Sequence, residues 1–116
     1  MIARRFLFPT RGDLSIDAYP AIHELNPEFA DACREKLTDL RLYAELDRGD
    51  AVTRRVLAEI YADTVILGSA DPRLAGLDRD GWVSWLVENE PVFALLREAT
   101  WAREAFEDSD GDARPV

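Results

Sequence analysis

Apolar residues between positions 26 and 49 fall at Phe29, Cys33, Leu37, Leu40 and Ala44, spaced by four, four, three and four. That spacing places them on one face of an amphipathic helix. Asn26-Pro27-Glu28 opens it: Asn caps, Pro fits the first helical position, and a carboxylate follows where the helix dipole favours it. Leu42 and Leu46 add a weaker stripe, and Gly49 is the natural stop. The predicted helix is ~20 residues and ~30 Å long.

A second stripe runs through Val52, Val56, Ile60 and Leu67, widened by Leu57, Tyr61 and Val65. A stripe this wide predicts a helix covered on more than one side, capped at Asp50 and ended by Gly68. The short connection from Glu45 to Val52 predicts antiparallel neighbours. Ser69 to Asp80 reads as a loop and Asp80 to Asn89 as a short helix. A last helix opens at Asn89-Glu90-Pro91 and carries Val92, Leu96, Ala99, Ala102 and Phe106 on one face. Residues 1–25 read as an N-terminal arm. Arg4 to Phe8 is a short strand or extended segment ended by Pro9, and Gly12-Asp13 is a turn. Asp17 to Leu25 holds a helical turn or short helix broken near Pro20. The pattern therefore predicts an all-α (mainly α) chain. It is a small helical bundle on an antiparallel hairpin at 26–107, with a short N-terminal extended segment and a flexible acidic tail at 108–116.

Length and composition narrow the classes. The 116 residues make one domain, able to bury roughly two-thirds of the unfolded surface. With 47% hydrophobic and 32% charged residues, the chain is not of the disordered class. Net charge is −9, from 23 acidic against 14 basic side chains. This opposes direct binding to nucleic-acid phosphates and favours basic partners. The single cysteine rules out an internal disulfide framework. No run approaches the ~20 apolar residues of a membrane span. The apolar stretch after Arg4-Arg5 is too short for a signal peptide, so the expected place is the cytoplasm.

Candidate chemistry is sparse. His23 has no companion, and Cys33 sits on an apolar helix face, where it reads as a small buried hydrophobe. Their separation of ten residues does not suit a zinc site. No nucleophile elbow surrounds Ser15, Ser69, Ser84 or Ser109, and the isolated glycines make no phosphate loop. The carboxylate pairs Asp78/Asp80, Glu88/Glu90 and Glu104/Asp108 read as solvated or capping acids. Asp108-Ser-Asp-Gly-Asp112 lacks the sixth-position Gly and the twelfth-position Glu of a calcium loop. These readings give no catalytic, metal or cofactor residue and point to a non-enzymatic protein. The aromatic residues Trp82, Trp85, Phe93 and Trp101 carry two readings: core packing, or anchors of a partner-binding surface.

Four pieces carry a family resemblance: Asn26-Pro-Glu-Phe29, Tyr61-Ala-Asp-Thr-Val-Ile-Leu-Gly68, Asp78 to Trp85, and Glu88-Asn-Glu-Pro-Val-Phe93. Their order resembles the tail assembly chaperones of long-tailed phages and gene-transfer particles, over residues 26–107. The resemblance implies a largely helical protein outside the finished virion. It would keep the tape-measure protein soluble and bring tail-tube subunits to it. Two other protein-binding roles stand beside it: a head–tail connector component, and an acidic inhibitor that mimics nucleic acid. Wide apolar helix faces also predict self-association.

Overall fold

The computed structural model describes residues 2–36, 51–107 and 114–116. The chain opens with strand β1, Arg4–Phe8, a short 3-10 turn at Pro9–Arg11, and strand β2, Leu14–Ala18. β1 alternates as a half-buried strand must: Arg4, Phe6 and Phe8 point inward while Arg5 faces out. Gly12 (φ 69°) and Asp13 (φ 57°) turn the chain through the left-handed region, where glycine is unpenalised and Asp tolerated. The strands then pair antiparallel with Phe6 opposite Ile16 and Phe8 opposite Leu14. On the other face Arg5 lies opposite Asp17, its Nε donating to Oδ1 at 2.8 Å.

This sheet overturns the all-α expectation: the fold is mixed α/β. The sheet has the order β3-β2-β1-β4, with three antiparallel strands and a two-residue parallel edge. Asp17 and Ala18 close β2 and Tyr19 to Ile22 run as coil, so the expected helical turn comes only after Pro20, where Leu25 N and Asn26 N both donate to Ile22 O at 3.0 and 2.8 Å. The physical cause is pairing. Leu14-Ser-Ile-Asp-Ala is too short to propagate a helix but places Leu14, Ile16 and Ala18 inward when hydrogen-bonded beside β1.

Helix α1 spans Pro27–Lys36. The Asn26 side chain caps it, Oδ1 accepting from the Phe29 N–H at 3.1 Å. The expected continuation through Leu37, Leu40 and Ala44 to Gly49, the cap at Asp50 and the tail at 108–113 lie outside the described residues.

Helix α2 spans Ala51–Thr64 and stops short of Gly68. Strand β3, Ile66–Gly68, follows at once and pairs antiparallel with β2. The helical stripe had absorbed Leu67, but β-branched Thr64-Val65-Ile66 fits a pleated edge better than a helix end. Val65 is fully buried and its carbonyl accepts from Tyr19 N at 2.8 Å.

Helix α3, Arg79–Glu88, is capped by Asp78, whose carboxylate accepts from Gly81 N. Helix α4, Glu90–Trp101, follows after Asn89, whose N–H and side-chain amide both donate to the Trp85 carbonyl. The last predicted helix is not continuous to Phe106. It breaks at Ala102, which is extended (ψ 110°), and resumes as one short turn, α5, Glu104–Glu107. Strand β4, Arg114–Pro115, then runs parallel to β1, and Val116 N donates to Leu7 O at 2.7 Å.

One continuous core joins both layers. Phe29, Tyr61 and Phe93 stack edge to face at 6.0 and 5.2 Å, linking α1, α2 and α4. Phe6 of β1 meets Phe106 of α5 in the same way at 5.8 Å. Each such pair adds about 1 kcal/mol beyond the area it buries.

Candidate functional site

The break at Ala102 shapes the most distinctive surface of the molecule. Ala102 donates only weakly back to Ala99, and the chain then turns so that Ala105 N reaches Ala102 O and Phe106 N reaches Arg103 O. This brings α5 over the end of β1, where Arg4 Nε donates to the Ala105 carbonyl at 3.2 Å. Arg4 is a buried guanidinium, and its Nη2 has no hydrogen-bond partner among the described residues.

Between α4, α5, Phe6 of β1 and Val116 lies an open groove of about 550 Å³. Phe6, Leu95, Ala99, Ala102, Ala105 and Val116 supply its apolar wall; Glu98 and Glu104 supply its charge. Leu95, Glu98, Ala99 and Ala102 share one face of α4 by helical spacing and continue past its end. The alanines keep the wall low, and both glutamates are exposed. Among the described residues no Lys, Arg or His lines the groove. A smaller hollow of about 260 Å³ is lined by Ile2, Pro20, Leu25 and Phe106.

The four aromatic candidates are not gathered into one surface. Phe93 is fully buried, edge-on to Tyr61 with the Arg97 guanidinium 4.5 Å above its ring. Trp82 is buried at 6% exposure and meets half-buried Trp85 edge to face at 6.0 Å. Trp101 alone stands out, at 60% exposure, on the last turn of α4 next to the groove residue Ala102. Thus Trp82 and Phe93 build the core, Trp85 lies at its margin, and Trp101 is available to a partner. Sequence spacing had put Ala99 and Ala102 on the apolar face of the last helix but gave no sign that this face stays open beyond α4. Leu95 and Glu98 were not singled out at all, and Glu104 was read only as a solvated or capping acid.

The remaining chemistry is quiet. Cys33 is buried, and loss of solvation pushes its thiol up to about 11, away from nucleophilic thiolate. Burial likewise pushes the Tyr61 phenol up to about 12. His23 is exposed and its ring lies edge-on to Phe29 at 5.5 Å. Asp63 is held below the usual carboxylate range by hydrogen bonds from Arg79. Among the described residues no three His, Cys, Asp or Glu side chains gather to hold a metal ion. No helix among the described residues is long and apolar enough to cross a membrane. Comparison with protein-family models, curated proteins and solved structures finds no match to this chain.

Proposed function

We propose that this chain is a non-enzymatic assembly chaperone of the phage-tail type. In this reading it works in the host cytoplasm, covers an apolar helical stretch of the tape-measure protein and presents it to tail-tube subunits. The observation that carries the reading is the open apolar groove along α4 and α5, beside the exposed Trp101. A tape-measure rod exposes apolar helix stripes, and such stripes dock into grooves lined by short apolar side chains. Exposed Trp is among the preferred anchors of protein interfaces. The chain's charge of −9 supports the same role, because it keeps a complex with an apolar client soluble.

The test is coexpression of the tagged chain with candidate tape-measure and tail-tube proteins from the same genome. Enrichment of either, and a rise in soluble tape-measure protein, is the expected result. If neither co-purifies with a chain shown to be folded by circular dichroism, the chaperone role is rejected.

A further inference from the structure

The groove has a charge signature that its apolar wall alone does not explain. Of the described residues that line it, Glu98 and Glu104 are the charged ones, both are exposed, and they stand on different helices. Nearby Arg103 reaches the other way, to Glu24 at 3.4 Å. Arg97 is committed to Glu90 at 2.8 Å and to the face of Phe93. The groove therefore offers grease in the middle and, among the described residues, carboxylates at its margin that make no ion pair.

We propose that its occupant is an amphipathic helix whose apolar stripe is flanked by Lys or Arg. The proposal rests on the protein-binding role above and specifies the chemistry of the partner. From Leu95 to Ala102 the wall is about 10 Å long at 1.5 Å per residue, room for two turns of a partner helix. Ala99, Ala102 and Ala105 stay low, so larger partner side chains at helical spacing enter between them. Basic residues beside that stripe meet Glu98 and Glu104, and the field of a −9 chain steers them in. An acidic helix meets repulsion from the same groups. A second copy of this chain carries the same −9 and would set glutamate against glutamate, so charge disfavours it. A small ligand is disfavoured as well, because among the described residues the polar side chains lining the groove are exposed and none is buried to orient one.

The experiment uses the whole chain and two synthetic amphipathic peptides of about 15 residues. They share one leucine stripe; one is flanked by Lys, the other by Glu. Binding is followed by amide chemical shifts. The Lys-flanked peptide should bind about tenfold more tightly at low salt, with the advantage shrinking as salt rises. Shifts should centre on Leu95, Ala99, Ala102 and Ala105. Ala99→Trp, which fills the groove, should weaken the Lys-flanked peptide about tenfold. The double change Glu98→Lys with Glu104→Lys should reverse the preference; its exposed sites protect it from misfolding. Equal binding of both peptides, shifts centred elsewhere, or a dimer that Ala99→Trp dissolves would each overturn the proposal. If the tape-measure protein still binds an Ala99→Trp chain, the groove assignment falls and the chaperone role survives. If the Lys-flanked peptide binds but tape-measure protein does not, the reverse holds.

Discussion

The side-chain amide of Asn26 donates to the carbonyl of Thr64 at 2.9 Å, so the residue that opens α1 also closes α2. The same amide donates to Pro20 O at 2.9 Å, and Oδ1 accepts from Phe29 N. Asn26 is fully buried, and three segments meet at it. Asn26→Ala strands three buried groups and should cost about 3 kcal/mol. Asn26→Asp keeps the cap but cannot donate, and should be destabilising too, unlike at an ordinary exposed cap. Urea denaturation of both variants measures this. An Asp variant as stable as the parent would show that the two donated bonds contribute nothing.

Alkaline stability should be governed by Tyr61 and Cys33. Thr100 Oγ1 donates to Leu96 O at 2.7 Å, so the contact of 3.2 Å between the two hydroxyls has Tyr61 as donor. Both buried groups have folded values raised above their ordinary ones, from 10.0 to about 12 for Tyr61 and from 9.0 to about 11 for Cys33. The folded state thus holds these protons more tightly than the unfolded state. Their contribution is complete below about pH 9 and is lost as pH rises towards 12. Tyr61→Phe should cost about 1 kcal/mol at neutral pH. Its deficit should shrink at pH 10.5, where the parent alone pays for keeping a phenol protonated. Parallel stability curves for parent and variant would contradict this.

The acid side should be set partly by Asp63. Arg79 grips it with two bonds, Nε to Oδ1 at 2.8 Å and Nη2 to Oδ2 at 3.2 Å, fastening the start of α3 to the last turn of α2. Asp63 is lowered in the folded state, so its stabilisation is present above the ordinary carboxylate range and fades as pH falls through it. Both side chains are more than one-third exposed, and water screens the pair. Arg79→Ala should therefore cost under about 1 kcal/mol at pH 7 and nothing measurable at pH 2. Thermal melts at the two pH values, with and without added salt, give the comparison.

Trp82 and Trp101 should separate stability from binding. Trp82→Ala empties a core position and should cost about 3–5 kcal/mol. Trp101→Ala removes an exposed ring, should move the folded stability by less than about 0.5 kcal/mol, and should weaken partner capture. Calorimetry beside pull-down reads both. A Trp101 variant that unfolds, or that captures partner at full strength, would remove Trp101 from the proposed surface.

Helix starts were legible because they are written in local chemistry. Asn26-Pro27 and Asn89-Glu-Pro91 each announce a boundary within a few residues, and the structure breaks at both. Strands were less legible. Val65, Ile66 and Leu67 continue the spacing of the α2 stripe, and only pairing with β2, some fifty residues earlier in sequence, decides for a strand. The break at Ala102 has no glycine or proline to mark it. Contact between Phe106 and Phe6 overrides a run that is helical by propensity. The groove follows from that break, so it was hidden for the same reason: its alanines look like any helix face until the chain turns away from them.

The bond from Arg4 to the Ala105 carbonyl joins residues 101 positions apart in sequence. Synthesis delivers the first hairpin long before the turn that must cover it. Until α5 emerges from the ribosome, Phe6 has no Phe106 to lie against and Arg4 has no acceptor. The growing chain therefore carries a half-covered strand pair while the hundred residues between Arg4 and Ala105 are made, and truncation before Ala105 should leave the N-terminal strands prone to aggregate.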